Sequence, residues 1–254
     1  MIVAPFRRCY HAVMEPPTAP RLSRPARTIF FDAGNTLLRM NYEVLAEQIS
    51  GRGAPVTPAE VRLAEWRARV RLDATLAPGT STESGSTSGR YLRYLLEGLG
   101  VTDEPRVQAI TEWRRGYNLP VGLWHQPDPE AAAALRALAD LGIRAAVISN
   151  SNGSVRSILT ELGLARHLEF VLDSAELGVE KPDPRIFRLA LARAGVEPAD
   201  AVYIGDLYSV DVLGARQVGM EGILLDPGGC WGERDCPRAP GLLAACDLAL
   251  ARGA

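Results

Sequence analysis

Thr28-Ile-Phe-Phe-Asp-Ala-Gly-Asn-Thr-Leu-Leu, residues 28–38, is a hydrophobic run that stops at Asp32 and continues into loop-forming residues. The segments 144–153 and 201–211 repeat this arrangement, and residues with helical periodicity follow each of them. Short apolar runs that end at polar residues and precede helices are typical of parallel strands in an open α/β sheet. These segments therefore predict an α/β fold built on a parallel sheet.

The polar residues that follow these strands are candidates for one shared pocket. Asp32 follows the first strand, Ser149 ends the second and Asp206 follows the third. In open α/β sheets, ligands bind in the crevice at the carboxyl ends of the strands. We therefore expect these three side chains to lie together, although they are far apart in the sequence.

Lys181 is the only lysine of the chain, and every other fixed positive charge is an arginine. A lysine ammonium is a compact point charge with three rotatable donors, whereas a guanidinium is a planar fork. A chain that otherwise uses arginine but keeps one ammonium group indicates a site that needs it. We predict a chemical role for Lys181, the alternative being an ordinary surface lysine.

Composition excludes several classes of function. The chain has 254 residues, a hydrophobic content of 47% and a formal net charge of −2, which suit a globular protein with one large or two modest domains. This charge provides no broad attraction to nucleic acid, and no apolar run is long enough to cross a bilayer. The four cysteines have no CxxC spacing. We therefore expect a cytoplasmic enzyme with reduced thiols, no zinc site, and no nucleic-acid or membrane partner.

The chain divides into an extension, a core and an insertion. Residues 1–27 are rich in proline and arginine and have little to bury, which predicts a flexible N-terminal extension. Residues 41–120 show helical periodicity without a convincing strand, which predicts a helical cap inserted between core segments 28–40 and 121–254. Within this cap, residues 78–89 contain no large apolar side chain and predict a flexible loop.

Strands and helices are predicted to alternate after the cap. We predict strands at 143–148, 169–172, 201–204 and 222–225, and helices at 129–141, 155–162, 184–195 and 210–218. The cap helices are predicted at 41–51, 57–76, 90–100 and 103–116. Right-handed crossovers would place the strands in a single sheet.

Lys181 and the polar residues that follow three of the strands form four motifs. They are Asp32 with Thr36, Ser149 with Asn150, Lys181, and Asp206 with Asp211. In order and spacing, these motifs resemble the haloacid dehalogenase-like hydrolase superfamily, and the resemblance covers residues 28–225. It implies a Rossmann-like three-layer core, with the helical insertion at the position of the superfamily's α-helical cap.

The resemblance also implies a reaction and a set of site residues. The first aspartate of the family attacks a phosphoryl group to form an aspartyl-phosphate. Carried over, the catalytic residues are Asp32, Lys181 and Ser149, and the Mg²⁺ ligands are Asp32, the carbonyl of Gly34 and Asp206, with Asp211 in support. The expected substrate-binding residues are Ser149, Asn150, Lys181 and Thr36. The implied function is a magnesium-dependent phosphatase, a hydrolase of phosphoric monoesters, acting on a small phosphorylated metabolite.

The chemistry of these residue types agrees with the resemblance. Mg²⁺ takes oxygen ligands, and a bound cation relieves the repulsion between neighbouring carboxylates. Phosphoryl transfer requires an in-line nucleophile and positive charge around the phosphoryl oxygens. Asp32 provides the first, and Mg²⁺ with Lys181 provides the second, while Ser149 and backbone amides near Asn150 donate hydrogen bonds.

The sequence departs from the family pattern at Gly34. Phosphatases of the family usually carry a second aspartate at this position, which protonates the leaving group and then activates water. Loss of a general acid–base group typically lowers the rate by about 10²- to 10⁴-fold, so slow turnover is expected. The next residue, Asn35, tolerates left-handed backbone angles, so the loop geometry is expected to persist.

The glycine leaves three alternatives to a phosphatase. A haloacid dehalogenase needs the nucleophile but neither the acid nor the metal, whereas Asp206 is retained here. A phosphonate-cleaving relative needs a Schiff-base lysine in the cap, and no lysine lies outside position 181. A binding or regulatory protein could keep the fold and a phosphorylated ligand without catalysis, although such a protein could dispense with Asp32.

Polar residues near the cap have simpler interpretations. Arg67, Arg69 and Arg71 form a spaced row on a predicted helix and are expected to face water, with closure over an anionic substrate as the alternative. His125 lies near the return from the cap and is expected to be structural or exposed.

Overall fold

The computed structural model describes residues 25–77, 79–118 and 121–251. Residues 1–24 of the predicted extension lie outside these residues. Ala26 is buried, its N–H donates to the carbonyl of Ala249, and the N–H of Arg27 donates to the carbonyl of Asp200. These two residues therefore belong to the folded core, and the predicted start of the core at residue 28 is slightly too late.

Eight strands in the described parts of the chain form two sheets. In chain order they are β1 Thr28–Phe31, β2 Leu38–Met40, β3 Trp124–Pro127, β4 Arg144–Ser149, β5 Val171–Asp173, β6 Ala201–Gly205, β7 Glu221–Leu225 and β8 Arg238–Ala239. Six of them form a parallel sheet in the order β5-β4-β1-β6-β7-β8, and β2 pairs with β3 in a separate antiparallel ribbon. The predicted α/β fold with a parallel sheet is confirmed.

Ten α-helices among the described residues connect and cover the strands. They are α1 Tyr42–Ser50, α2 Pro58–Asp73, α3 Gly85–Gly98, α4 Glu104–Tyr117, α5 Ala131–Asp140, α6 Val155–Glu161, α7 Ser174–Leu177, α8 Pro184–Ala194, α9 Leu213–Arg216 and α10 Leu242–Leu250. A π-helical turn, Tyr208–Val212, precedes α9. No helix in the described parts of the chain is long and apolar enough to cross a membrane.

The alternation of side chains along β1 explains the three layers. Ile29 and Phe31 pack on one face of the sheet with side chains of α5, α6 and α10. Phe30 packs on the opposite face with side chains of α8 and α9. Successive side chains of a strand point to opposite faces, so the central strand contributes to both hydrophobic clusters.

The central position of β1 places Asp32 at the middle of the sheet edge. Phe31 is in register with Val147 of β4 on one side and with Ile204 of β6 on the other. The N–H of Asp32 then donates to the carbonyl of Ile204. The ends of β1, β4 and β6 therefore lie side by side.

The helices α1 to α4 lie between β2 and β3 and share a separate hydrophobic cluster. The predicted flexible loop at 78–89 is wrong over its second half, because α3 begins at Gly85 rather than at residue 90. The side chain of Ser84 accepts a hydrogen bond from the N–H of Thr87 and caps the helix. The lack of apolar residues in this first turn concealed the helix start.

Candidate active site

Three aspartates converge at the carboxyl edge of the parallel sheet. Asp32 follows β1, Asp206 follows β6, and Asp211 lies in the π-helical turn. All three are buried, and one carboxylate oxygen from each lies within 4.8 Å of the others. The structure therefore brings together the side chains predicted to bind a metal ion.

Lys181 lies inside this cluster and is 3% exposed. Its Nζ donates to Oδ1 of Asp32 at 2.6 Å, to Oδ1 of Asp211 at 2.8 Å and to the hydroxyl of Tyr203 at 2.7 Å. Burial alone would lower the pKa of Lys181, but Asp211 and Asp32 outweigh it and raise the pKa above its usual value. The single lysine is therefore a buried cation and not a surface residue.

Tyr203 is a site residue that the sequence analysis missed. It lies in β6, donates from its hydroxyl to the carbonyl of Ile148 at 2.7 Å, and accepts from Lys181. A buried tyrosine hydroxyl normally requires a hydrogen-bond partner. A tyrosine within the apolar strand Ala201–Gly205 was therefore a signal that a polar group lay nearby.

Asp211 accepts hydrogen bonds both from the backbone at Asp206 and from Lys181. Its Oδ2 accepts from the N–H groups of Asp206 at 3.0 Å and Leu207 at 2.9 Å, and its Oδ1 accepts from Lys181. Gly205 allows this approach, because a Cβ at that position would lie 2.4 Å from the Asp211 carboxyl carbon. Asp211 therefore fixes the loop that carries Asp206.

Arg69 is buried, whereas its spacing on the predicted helix indicated that it would face water. It is 3% exposed, its Nε donates to Oε1 of Glu65 at 2.8 Å, and its Nη1 lies 3.2 Å from Oδ2 of Asp206. Glu65 also accepts hydrogen bonds from the hydroxyls of Tyr42 and Tyr91. Glu65 and Arg69 are four residues apart on the buried face of α2, so the glutamate on that face was the signal for a buried partner.

The arginines on either side of Arg69 behave as predicted. Arg67 and Arg71 are exposed, and Arg71 pairs with Glu97 at the surface. His125 donates to or accepts from Asn41 through Nε2 and contacts the carbonyl of Gly122 through Nδ1. Its interpretation as a structural residue is consistent with these contacts.

Removing the Arg69 charge is expected to destabilise the protein. In Arg69→Met, Glu65 would keep a buried negative charge without its cation, which typically lowers the free energy of unfolding by about 3–5 kcal/mol. Arg67→Met removes an exposed arginine from the same helix and should change stability by less than about 0.5 kcal/mol. Urea unfolding of both variants measures the difference, and equal stabilities would contradict the buried ion pair.

The buried network carries an excess of negative charge. Four carboxylates (Asp32, Asp206, Asp211 and Glu65) face two cationic side chains, Lys181 and Arg69, which leaves a formal charge of −2. Burial raises the pKa of Asp32 to about 6, with Lys181 opposing the shift and Asp211 adding to it. Burial likewise raises the pKa of Asp206 well above its usual range, with Arg69 opposing the shift.

These charges and donor atoms fit a divalent metal ion. The candidate ligands are all oxygen atoms, which Mg²⁺ prefers, and a dication would match the formal charge of the network. Burial raises the pKa of both Asp32 and Asp206, and a bound cation would favour the ionised form of each carboxyl group. The site is therefore suited to hold Mg²⁺.

The predicted substrate-binding residues differ in their positions. Ser149, Asn150 and Lys181 line a cavity of about 580 Å³, as do Asp32 and Gly34. Thr36, in contrast, is 1% exposed and is not among the residues that line the cavity. The Thr36 side chain is therefore buried, and the structure does not place it where a ligand in the cavity could contact it.

Asn150 holds the Lys181 segment in place. Its Oδ1 accepts from the N–H of Lys181 at 2.7 Å, and its Nδ2 donates to the carbonyl of Lys181 at 2.9 Å and to Oγ1 of Thr82 at 2.8 Å. The hydroxyl of Ser149 donates to the carbonyl of Asn150 at 3.3 Å. The Asn150 amide therefore positions the backbone of Lys181 and is not available to a ligand. The hydroxyl of Ser149, whose hydrogen bond is longer, is the more available donor to a ligand.

The loop after β1 keeps its geometry without a second aspartate. Asn35 has a φ of +52°, the left-handed conformation that it was expected to tolerate. Its Oδ1 accepts from Nε1 of Trp124 at 2.8 Å, and its Nδ2 donates to Oδ2 of Asp206 at 3.2 Å. Asn35 therefore connects the loop both to β3 and to the acid cluster.

Comparisons with known proteins agree with this geometry. Residues 26–219 match the family model described as haloacid dehalogenase-like hydrolase. Haloacid dehalogenase-like hydrolase domain-containing protein 3 of Mus musculus is 34% identical over 207 residues, which cover 78% of this chain and 81% of that protein. Phosphoserine phosphatase of Thermus thermophilus is 42% identical over 149 residues, which cover 57% of each chain.

A solved structure extends the agreement to the whole fold. The crystal structure of 2-haloacid dehalogenase from Pseudomonas syringae has a TM-score of 0.54 and 28% sequence identity, and the match covers 88% of this chain and 97% of that one. The family model, the relatives and the strand-end geometry lead to the same assignment. The chain belongs to the haloacid dehalogenase-like hydrolase family.

Proposed function

We propose that this protein is a magnesium-dependent phosphatase that acts on a small phosphorylated metabolite. The observation that carries the proposal is the buried cluster of Asp32, Asp206 and Asp211 around Lys181, at the base of a cavity of about 580 Å³. A cavity of this size suits a small metabolite. The similarity to a phosphoserine phosphatase supports a phosphoric monoester as the substrate class.

Asp32 is the proposed nucleophile. Its carboxylate would attack the phosphorus atom and form an aspartyl-phosphate, while Lys181 stabilises the negative charge on the phosphoryl oxygens. The hydroxyl of Ser149 would donate to one of these oxygens. When bound by Asp32, Asp206 and the carbonyl of Gly34, Mg²⁺ would supply further positive charge at the phosphoryl group. Water would then hydrolyse the intermediate.

The position of Arg69 in the cavity favours an anionic substrate. This residue lines the cavity, and its Nη1, which forms an ion pair with Asp206 at 3.2 Å, is buried and makes no hydrogen bond among the described residues. A guanidinium nitrogen in this state is suited to a phosphoryl or carboxylate oxygen. Arg69 lies on α2, so we also propose that residues 41–120 act as a cap that completes the substrate site.

A 2-haloacid dehalogenase is the second candidate. The similarity to a dehalogenase structure favours it, and so does the absence of a carboxylate at Gly34, since a halide leaves without a proton. The buried formal charge of −2 and the retained Asp206 favour the phosphatase, because they suit a metal ion.

Removal of the metal ion provides a direct test. We expect magnesium-dependent release of p-nitrophenolate from p-nitrophenyl phosphate, its loss in excess EDTA, and its return when Mg²⁺ is restored. Chloride release from 2-chloropropionate that is unaffected by EDTA would instead indicate the dehalogenase. Tight binding of an organophosphate without turnover would indicate a binding protein.

A further inference from the structure

The proposed reaction needs a proton donor that Gly34 cannot provide. In the first half-reaction, the leaving oxygen of an alkyl phosphate, or of an aryl phosphate whose phenol is weakly acidic, must gain a proton as its bond to phosphorus breaks. In the second, water must lose a proton as it attacks the phosphorus atom. A carboxyl group that faces the cavity could serve both steps.

Of the residues that the structure describes, four acidic ones line the cavity. Asp32, Asp206 and Asp211 make the hydrogen bonds and ion pairs of the buried network. The fourth, Glu83, lies in the segment between α2 and α3. Within the described parts of the chain, its carboxylate has no hydrogen bond or ion pair. Glu83 is therefore the lining acid that is free to exchange protons with a ligand.

Hydrogen bonds to the core hold the Glu83 segment in place. The hydroxyl of Ser81 donates to Oε1 of Glu180 at 2.8 Å, and the N–H of Thr82 donates to Oε2 of the same glutamate at 3.2 Å. Oγ1 of Thr82 also accepts from Asn150 at 2.8 Å. Glu180 precedes Lys181 in the chain, and Asn150 accepts a hydrogen bond from the N–H of Lys181. Ser81 and Thr82 are therefore bound to residues that lie next to Lys181.

The N-terminal turn of α3 restricts Glu83 from the other side. The N–H of Glu83 donates to the hydroxyl of Ser81 at 3.2 Å, and Ser84 caps the helix. The backbone is therefore fixed on both sides of a side chain whose carboxylate is unengaged. Fixed backbone with a free carboxylate is the arrangement that proton transfer to a bound ligand requires.

We propose that Glu83 is the general acid and general base that replaces the missing aspartate at position 34; this rests on the proposed phosphatase function. In the first step, Oδ of Asp32 bonds to phosphorus, the bond from phosphorus to the leaving oxygen breaks, and the Glu83 carboxyl gives its proton to that oxygen. In the second, the Glu83 carboxylate takes a proton from water. The water oxygen bonds to phosphorus, and the bond to Asp32 breaks.

The electrostatic surroundings of Glu83 suit this exchange. Although the residue remains accessible to water, the surrounding protein raises its pKa to about 7, first by burial and then through Glu180, Asp32 and Asp173, with Lys181 opposing the shift. Arg114 of α4 lines the same cavity, and its charge interacts with that of Glu83. A bound cation would lower this pKa again, because positive charge favours the carboxylate. A group that titrates near neutrality can both give and take a proton.

The test compares Glu83→Gln with wild type on two aryl phosphates. Phenolate is a poor leaving group, since phenol has a pKa of about 10, whereas p-nitrophenolate leaves without protonation. In Glu83→Gln, the first turnover of phenyl phosphate should slow by roughly 10²-fold or more, and that of p-nitrophenyl phosphate should change little. Dephosphorylation should slow with both, so p-nitrophenyl phosphate should give a burst of p-nitrophenolate followed by a slow phase.

Glu112→Gln is the matched control. Glu112 is an exposed acid of α4 that is not among the lining residues of this cavity, and its replacement removes the same charge from the same group of helices. It should behave as wild type on both substrates. The pH profile adds a second readout, since the fall in phenyl phosphate turnover as the Glu83 carboxyl ionises should disappear in Glu83→Gln.

Two results would overturn the role of Glu83. One is a Glu83→Gln variant with wild-type rates on both substrates, and the other is a variant that slows the first turnover of both substrates equally. Failure of the proposed function looks different, because wild-type protein would then release no phosphate from either substrate with Mg²⁺ present. An active wild type with an unaffected Glu83→Gln variant would refute only the further inference.

Discussion

Asp32→Asn is expected to abolish magnesium-dependent phosphate release, with a loss of roughly 10⁴-fold or more in kcat. The amide lacks the nucleophilic carboxylate oxygen, and the described loop that follows β1 contains no other carboxylate. The asparagine oxygen can still accept from Lys181, so the fold should persist. Steady-state assays with p-nitrophenyl phosphate measure the loss of activity, and circular dichroism of the same sample shows whether the protein is folded.

Asp140→Asn provides the control for this substitution. Asp140 is an exposed residue at the end of α5, so its replacement makes the same chemical change away from the cavity. Activity within a few-fold of wild type is expected for this variant. An Asp32→Asn protein that is folded and retains comparable activity would exclude Asp32 as the nucleophile.

Lys181→Met is expected to reduce both activity and stability. The substitution leaves Asp32 and Asp211 buried without their shared cation, and removal of one partner from such a cluster typically lowers the free energy of unfolding by about 3–5 kcal/mol. Positive charge at the phosphoryl oxygens is lost as well, so a fall in kcat of roughly 10²-fold or more is expected. Urea unfolding and phosphatase assays measure these effects.

The stability loss in Lys181→Met should depend on pH in metal-free buffer. Burial already raises the pKa of Asp32 to about 6 in the wild type, and loss of Lys181 should raise it further. An acid with a raised pKa in the folded state binds a proton more readily there than in the unfolded chain, so stability falls as pH rises through this range. The variant should therefore be less destabilised near pH 5 than near pH 7.

Arg185→Met is the matched control for Lys181→Met. Arg185 pairs with Asp183 at the surface, four positions after Lys181, and its side chain is 69% exposed. Exposed pairs contribute about 0–1 kcal/mol, so a small change without pH dependence is expected. A Lys181→Met variant that is as stable and active as Arg185→Met would show that the buried ammonium is dispensable.

The sequence predicted the centre of the site because strand ends follow a simple rule. Asp32 and Asp206 each follow a hydrophobic run, and adjacent parallel strands bring such residues to one edge. Lys181 was distinguished by composition alone. These signals are local, so they do not require knowledge of how the helices of residues 41–120 lie on the core.

Residues whose position depends on long-range packing were not predicted. Arg69 and Glu83 approach the cavity because the helices between β2 and β3 cover the carboxyl edge of the sheet. The spacing along the helix grouped Arg69 with Arg67 and Arg71, which are exposed. The composition of residues 78–89, which include Glu83, predicted a flexible loop. Thr36 was assigned to the substrate by its motif, whereas the loop after β1 turns its side chain inward.

Short elements were missed for a different reason. The strands β2, β3 and β8 have two to four residues each, too few to show a period of two. Their pairing supplies the stability that local propensity does not. β2 and β3 nevertheless matter for the site, because Trp124 of β3 donates to Asn35 in the loop that follows Asp32.

Trapping of the covalent intermediate tests most directly whether Asp32 receives the phosphoryl group. Protein mixed with p-nitrophenyl phosphate carrying a radiolabelled phosphoryl group and Mg²⁺, then quenched in acid and digested, should carry label on the peptide that contains Asp32. The label should be absent without Mg²⁺ and in Asp32→Asn. Rapid turnover that leaves no label on this peptide, or equal labelling of Asp32→Asn, would contradict the proposed mechanism.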